Sequence, residues 1–131
     1  MIGLDTNILV RHIAQDDAAQ SPRATKLIES FTDERPGYVA LVVLVETIWV
    51  FQRRYDATRS DIARLIETLL RIDGIRVEHP EIVWAALRLF QSSNVGFADC
   101  LIARANQAAG CDYTATFDEK AGKIEGMKSL S

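Results

Sequence analysis

Four acidic residues interrupt apolar stretches of this sequence, and carboxylates in such positions are candidates for chemistry. Asp5 follows a short apolar opening and Asp118 ends a predicted strand, whereas Glu46 and Asp99 lie within apolar helical stretches. Burying a charge without a partner is costly, so packing alone does not account for these positions. Carboxylates that cluster repel one another unless a cation neutralises them or one of them binds a proton. The four residues are therefore candidates for one cation site.

The donor atoms indicate which cation would bind. The four residues supply only oxygen ligands, and no histidine or cysteine has a matching spacing, which favours Mg²⁺ or Mn²⁺. Such an ion orients a phosphate ester, stabilises developing charge and supplies a nucleophilic hydroxide. The alternative is that these acids are helix caps and isolated ion pairs. Asp5 in particular is placed to cap the helix that follows it.

Alternating strands and helices must position these acids. Strands are predicted at residues 2–4, 38–40, 75–77 and 112–116, with a last edge strand near 127–130. This alternation is typical of a parallel sheet covered by helices on both faces. We therefore expect one α/β domain over residues 1–131. In a parallel sheet Asp5 and Asp118 lie at the same edge, and the helices of Glu46 and Asp99 start nearby.

Caps and apolar spacing predict the helix boundaries. The apolar run from Tyr38 to Phe51 is too long for one strand, so we divide it near Leu41 into a strand and a helix. Thr58 to Asp61 forms a capping box ahead of apolar residues at helical spacing. The remaining helices are predicted over 8–14, from Pro22 in a first turn to Phe31, from Pro80 to Phe90, and over 97–109.

Composition limits the function classes. The chain has 131 residues, 48% of them hydrophobic and 25% charged, as in a soluble globular domain. Its formal net charge of −3 gives no overall attraction to nucleic acid, so an RNA partner would need a local basic patch or a bound cation. Cys100 and Cys111 lack the spacing of a zinc motif and are predicted to be small buried hydrophobes of a reduced protein.

The sequence predicts a cytoplasmic location and no membrane partner. The opening residues contain neither a basic n-region nor a cleavage site. The longest apolar run, 38–45, is far shorter than the roughly 20 residues that a membrane span requires.

Four motifs, taken together and in this order, resemble the PIN-domain ribonucleases, and among them the VapC toxins of toxin–antitoxin pairs. The motifs are Leu4-Asp5-Thr6-Asn7-Ile8-Leu9, Val45-Glu46 ahead of an apolar helix with Trp49, Phe97-Ala98-Asp99-Cys100-Leu101-Ile102, and Thr116-Phe117-Asp118. They cover essentially the whole chain.

This resemblance implies a fold, an activity and partners. The fold is a three-layer α/β/α sandwich around a parallel sheet of about five strands. The activity is Mg²⁺- or Mn²⁺-dependent endonucleolytic cleavage of RNA, by a toxin that inhibits translation and growth. The partners are a second copy in a homodimer and a cognate antitoxin, whose C-terminal segment lies in a groove and reaches the acidic site.

The resemblance also assigns roles residue by residue. Asp5, Glu46 and Asp99 match the metal-binding acids of the family, and Asp118 matches a fourth, more variable one. Thr6 and Asn7 match the positions that hold the first Asp, and Thr116 matches a small hydroxyl residue two positions before the last acid.

The junction between the second strand and its helix departs from the family pattern. Many relatives place Ser or Thr there, whereas this sequence has Ala40-Leu41-Val42-Val43. The helix of Glu46 therefore starts without an obvious cap, although no metal ligand is lost.

The expected reaction is in-line attack by metal-bound water, with departure of the 3′ oxygen to give a 5′-phosphate and a 3′-hydroxyl. It requires no histidine, and His12 and His79 are interpreted as surface or packing residues. The candidate phosphate contacts are Arg11, Arg53, Arg54 and Arg59. The aromatic residues Trp49, Phe51, Trp84 and Phe90 are interpreted as core or dimer interface rather than as platforms for base stacking, and any of them that is exposed could contact the antitoxin.

Three other functions are weighed against this one. A haloacid-dehalogenase-type phosphatase would need a second Asp at the position of Asn7. A receiver domain would need an Asp at the end of a middle strand, and 75–78 offers none. A PIN-like binding module without catalysis is disfavoured by the presence of all four acids, and an activity assay decides that question.

Overall fold

The computed structural model describes residues 1–130, which form two compact units. The first unit is Met1–Glu78 and the second begins at His79. The α/β class predicted from the sequence is confirmed, because residues 1–130 contain six α-helices and strands that pair in parallel.

The first unit is built on a three-stranded parallel sheet. Its strands are β1 (Ile2–Gly3), β2 (Gly37–Val39) and β3 (Ile75–Val77), in the order β1-β2-β3. In the register of this sheet, Gly37 is paired with both Ile2 and Ile75. The helices of this unit are α1 (Thr6–Ala14), α2 (Gln20–Glu29), α3 (Leu41–Arg54) and α4 (Arg59–Arg71).

The second unit carries two helices and a two-stranded parallel sheet. The helices are α5 (Pro80–Gln91) and α6 (Phe97–Ala108), and the strands are β4 (Thr114–Thr116) and β5 (Met127–Ser129). A 3₁₀ turn, Ala121–Lys123, lies between these strands in the chain. Phe90 and Phe97 meet edge to face with ring centroids 5.9 Å apart, an arrangement that aromatic pairs prefer.

The strands differ in arrangement from the expected sheet of about five. Five strands are present, but they hydrogen-bond as a set of three and a set of two. Each strand has only two or three residues, so each contributes few ladder hydrogen bonds.

The helix starts follow the predicted signals. α3 begins at Leu41, where the apolar run was divided, and α5 begins at Pro80. Thr58 and Asp61 form the predicted reciprocal capping box at the start of α4. α1 begins two residues earlier than predicted, at Thr6, because Asp5 acts as its cap.

The cysteine prediction is half correct. Cys100 is buried in α6, as predicted, but Cys111 is exposed, so its interpretation as a buried hydrophobe is wrong. Cys111 lies beyond the end of α6 and ahead of β4, in a connecting segment that buries no apolar face. Neither cysteine forms a disulfide bond with another residue of 1–130.

Two glycines allow the residue Phe31 to pack closely against the first sheet. A Cβ atom at Gly37 would overlap the Phe31 ring, and one at Gly74 would lie 2.8 Å from the Phe31 backbone. Gly74 also has a φ of +82°, which favours glycine. Its carbonyl accepts a 2.8 Å hydrogen bond from the Gly37 N–H, which joins the turn before β3 to the start of β2.

The helices found in residues 1–130 are all too short or too polar to cross a lipid bilayer.

Candidate active site

Asp5 lies between β1 and α1 and is the N-cap of that helix. Its Oδ1 accepts a hydrogen bond from the Thr6 N–H at 2.8 Å, with extended backbone geometry. The side chain is exposed, and no residue among 1–130 donates a hydrogen bond to Oδ2. Capping therefore uses one oxygen of Asp5, and the other remains available to a ligand.

Thr6 joins Asp5 to Glu46. The Thr6 side chain is buried, and its hydroxyl donates a hydrogen bond to Glu46 Oε1. Its backbone N–H meanwhile binds Asp5, so one residue contacts both acids. Glu46 lies in the second turn of α3 and is itself exposed. The Thr6 hydroxyl thus holds Oε1 of Glu46 in place. The sequence predicted a contact of Thr6 with Asp5 only.

Glu78 replaces the cap that the sequence of α3 lacks. Ala40, the N-cap of α3, offers no side-chain hydrogen bond, but Glu78 Oε1 accepts from the Leu41 N–H at 2.8 Å. The Glu78 N–H in turn donates to the Val39 carbonyl at 2.9 Å. A carboxylate at this position satisfies an unpaired backbone donor and interacts favourably with the helix dipole. Sequence reasoning missed Glu78, whose only signal is an acid directly after β3.

Asp5 and Glu46 open into the same cavity, whose volume is about 320 Å³. Asn7, a predicted site residue, is exposed and lines it as well. The full lining is Asp5, Thr6, Asn7, Val10, Arg11, Glu46, Trp49, Val50, Arg54 and Tyr55. Two carboxylates and two guanidinium groups therefore share one small space.

Arg11, which lines this cavity, is held in place by two neighbouring side chains. Its Nε donates to Gln20 Oε1 at 2.8 Å, and its Nη1 lies 3.7 Å from Asp16 Oδ1. The hydroxyl of Tyr55 donates to Asp16 Oδ2 at 2.6 Å. That hydrogen bond raises the pKa of Tyr55 above its usual value of 10.0, so Tyr55 is a protonated donor at neutral pH.

The other predicted phosphate contacts, Arg53, Arg54 and Arg59, lie in different surroundings. Arg54 lines the cavity with Arg11, whereas Arg59 does not. Arg53 lies over the ring of Trp49, with its Cζ 4.9 Å from the ring centroid.

The sequence predicts Trp49, Phe51, Trp84 and Phe90 to be core or dimer interface, and Phe51 and Phe90 are buried in the core. Trp49 is not part of the core, and its place in a dimer interface stays a prediction. Trp49 is 51% exposed and lines the acidic cavity. Trp84 is partly buried in α5. Trp49 is not buried because it lies on the same helix face as Glu46, one turn away, and that face lines the cavity.

The second unit places Asp99 and Asp118 in different local settings. Asp99 is the third residue of α6 and is partly buried, near a helix start where a carboxylate is favourable. Asp118 follows β4 and its Oδ1 accepts from the Ala121 N–H at 2.9 Å. The backbone N–H of Asp118 donates to Thr116 Oγ1 at 3.1 Å, whereas the predicted role of Thr116 beside the carboxylate stays a prediction.

Neither histidine lines the cavity of Asp5 and Glu46. His12 Nδ1 lies 2.9 Å from Thr25 Oγ1, and its ring borders a second, largely apolar cavity of about 500 Å³ within the first unit. His79 is exposed at the start of α5, 3.6 Å from Glu81.

The donor chemistry of the cavity fits a hard cation. Within neither unit do the described residues bring together three or more His, Cys, Asp or Glu side chains in a group that could hold a metal ion. The cavity of the first unit offers two carboxylates and no sulfur or imidazole. Mg²⁺ is commonly bound through one or two carboxylates, with water and substrate phosphate as the other ligands.

The family follows from a match over nearly the whole sequence. The family model described as PIN domain matches residues 2–127. The chain belongs to the PIN-domain family. Membership in this family rules out the haloacid-dehalogenase-type phosphatase and the receiver domain as assignments.

This PIN domain is also similar to individual proteins. A protein named VapC ribonuclease, from Aquifex aeolicus (strain VF5), is 24% identical over 133 aligned positions, covering 98% of this chain and 94% of that protein. A chain of a solved toxin–antitoxin complex from Klebsiella pneumoniae is similar at 16% identity with a TM-score of 0.39, covering 100% of this chain and 97% of that one.

Proposed function

We propose that this PIN domain is a Mg²⁺- or Mn²⁺-dependent endoribonuclease and the toxin of a toxin–antitoxin pair that inhibits translation. The observation that carries the proposal is the pair of exposed carboxylates, Asp5 and Glu46, joined by Thr6 at one cavity of a PIN-family chain. The full-length likeness to a protein named VapC ribonuclease supports the choice of RNA as substrate.

Asp5 and Glu46 are the residues proposed to hold the metal, with Asp99 and Asp118 as further ligands or orienting groups. The bound ion would neutralise charge on the scissile phosphate and lower the pKa of the attacking water. Thr6 keeps the Glu46 carboxylate oriented, because its hydroxyl occupies Oε1. Arg11 and Arg54 offset the negative charge that would otherwise repel RNA. The products are a 5′-phosphate and a 3′-hydroxyl.

The proposed protein partners are a cognate antitoxin and a second copy of the chain. The VapC name of the relative supports the antitoxin. The apolar cavity bordered by α1, α3 and α4 adds support, because an amphipathic helix of a partner fits such a surface. Neither partner requires a membrane. We infer a cytoplasmic location, where cysteines stay reduced, since neither cysteine forms a disulfide within residues 1–130.

The decisive test is cleavage of total cellular RNA by the purified, antitoxin-free chain, with Mg²⁺ or Mn²⁺ and with EDTA. The variant is Asp5→Asn and its matched control is Asp33→Asn, which alters an exposed acid outside the cavity. We expect discrete metal-dependent fragments from the wild type and Asp33→Asn, and none from Asp5→Asn.

Two outcomes would contradict the proposal. If the wild type leaves RNA intact with either metal, the chain is a binding module of the PIN fold. If Asp5→Asn cuts as well as the wild type, the activity belongs to a contaminant. End-mapping of fragments would identify the RNA that is cut.

A further inference from the structure

We propose that Trp49, Arg11 and Arg54 form a nucleotide-binding subsite beside Asp5 and Glu46. In this subsite Trp49 stacks against an unpaired base of single-stranded RNA, and the two arginines bind the adjoining phosphate. The inference rests on the proposed function in one respect, namely that RNA reaches the two carboxylates.

The position of Trp49 on α3 is the first argument. Glu46, Trp49 and Arg53 recur at steps of three and four residues and therefore lie on one helix face. Trp49 follows Glu46 by about 4.5 Å along the helix axis. With 51% of its surface exposed, it is a large apolar side chain at the rim of a polar cavity.

The Arg53 guanidinium orients the Trp49 ring without covering it. The cation lies 4.9 Å from the ring centroid, a cation–π geometry that favours one ring orientation. Trp49 as a whole residue remains 51% exposed beside this cation. A flat, exposed and oriented indole is the platform on which single-stranded nucleic acids stack their bases.

The two arginines supply the charge that such a ligand requires. Arg11 is already oriented by Gln20 and Asp16. The side chain of Arg54 forms no hydrogen bond or ion pair with any residue from 1 to 130, and Arg54 lies about 12 Å beyond Glu46 along the helix axis. A guanidinium without a partner at the rim of a cavity is suited to bind a phosphate.

The geometry therefore favours single-stranded over double-stranded RNA. In a duplex the base faces are covered by their neighbours, so a side chain cannot stack on them. The substrates should thus be loops, bulges or ends with at least one unstacked base next to the cleaved phosphate.

Binding and cleavage can be measured separately. Anisotropy of a labelled, unstructured RNA oligonucleotide in EDTA reports binding without cleavage. We expect Trp49→Ala and Arg54→Ala each to raise the Kd by about 10-fold, the effect of one lost stack or one charge-assisted contact. Trp49→Phe, which retains an aromatic face, should restore most of the affinity.

Matched controls separate this subsite from general surface effects. Arg71→Ala removes an exposed helical arginine that does not line the cavity, and Ile102→Ala removes a similarly exposed apolar side chain. Both should bind RNA as the wild type does. Thermal unfolding of each variant checks that it is folded.

Intrinsic fluorescence gives an independent measurement. The chain has two tryptophans, so Trp84→Phe leaves Trp49 as the only indole. We expect RNA to quench the fluorescence of Trp84→Phe strongly and that of Trp49→Phe hardly at all. Quenching without cleavage would support the subsite even if the chain is not a nuclease.

Three results would overturn the inference. One is that folded Trp49→Ala binds and cuts RNA like the wild type, in which case the nuclease proposal stands and the subsite does not. Another is that the wild type binds no RNA. The third is that Trp49→Ala changes only self-association, measured by light scattering, which would make Trp49 a contact between copies of the chain.

Discussion

At the scale of single residues, Thr6 determines the geometry of both cavity carboxylates. It donates its N–H to Asp5 and its hydroxyl to Glu46. A buried hydroxyl whose acceptor is a carboxylate contributes more than an ordinary neutral hydrogen bond. Losing it would leave Glu46 free to change rotamer.

We expect Thr6→Val to reduce RNA cleavage by about 10- to 100-fold, the typical effect of removing a partner that orients a metal ligand. Val has nearly the shape of Thr but lacks the hydroxyl, and thermal unfolding of the variant checks that it is folded. Titration of the activity with Mg²⁺ should show a higher half-saturating concentration.

Thr6→Ser is the matched control, since it keeps the hydroxyl and should retain most of the activity. If Thr6→Val is as active as Thr6→Ser at every Mg²⁺ concentration, the hydrogen bond to Glu46 has no functional role.

The residue types in the sequence were enough to suggest the four acids as site residues, but not to predict which hydrogen bonds they form. Asp5 was foreseen both as a site residue and as a helix cap, and the structure gives it the cap through one oxygen. The hydrogen bond from Thr6 to Glu46 joins residues that are distant in the sequence, and no local pattern encodes it. The roles of Asp99 and Asp118 stay predictions.

At the scale of secondary structure, the start of α3 depends on a residue from another element. Glu78, directly after β3, accepts the Leu41 N–H because Ala40 has no side chain that could do so. Since α3 carries Glu46 and Trp49, this contact fixes the helix on which half of the cavity lies.

We expect Glu78→Ala to lower the free energy of unfolding by about 1 kcal/mol, as for the loss of an N-cap side chain. Urea denaturation monitored by circular dichroism measures it. Glu78→Gln retains an acceptor oxygen without the charge, so its loss should be smaller. Equal stability of Glu78→Ala and the wild type would show that the cap contributes nothing.

The close approach of Phe31 to Gly74 gives a second stability prediction. Gly74→Ala would meet both an unfavourable φ and the Phe31 backbone, whereas Gly110→Ala, with a φ of +98° and no atom within 4 Å, would meet only the first. We expect Gly110→Ala to lower the unfolding free energy by about 1–2 kcal/mol.

Gly74→Ala should lower it by about 1–3 kcal/mol more, the usual range for overpacking. Thermal or urea unfolding of the two variants side by side gives this difference. If both variants lose the same amount, the backbone around Phe31 relaxes without cost.

Element boundaries were largely predictable because their signals are local. The capping box at Thr58, Pro80 at the start of α5 and the strand-to-helix change at Leu41 all lie within a few residues of the boundary that they set. The division of the strands into sets of three and two was not predictable, because strand pairing depends on contacts across the chain.

At the scale of the whole molecule, the net charge of −3 constrains how RNA can bind. The overall field is weakly repulsive, so attraction depends on the few cations at the cavity, Arg11 and Arg54. A broad basic surface, as in many nucleic-acid-binding proteins, is not required by the proposed subsite.

We therefore expect RNA affinity to depend only weakly on salt. Two phosphate contacts predict a slope of about −1.4 for log Kobs against log salt concentration, at about −0.7 per contact with a single strand. Anisotropy titrations over a range of NaCl concentrations in EDTA measure it, and Arg54→Ala should reduce the slope by about half. A slope several times steeper would place RNA on a larger surface.

The cap that Glu78 provides for α3 makes the residue tolerated at position 40 depend on the residue at position 78. A relative with Ser, Thr or Asp at position 40 could cap the helix from within and would be free to change residue 78. Here Glu78 compensates for Ala40, since position 40 supplies no acceptor and position 78 supplies it. Ala40→Ser should accordingly make Glu78→Ala harmless, and selection for the position of α3 would then appear as covariation of positions 40 and 78.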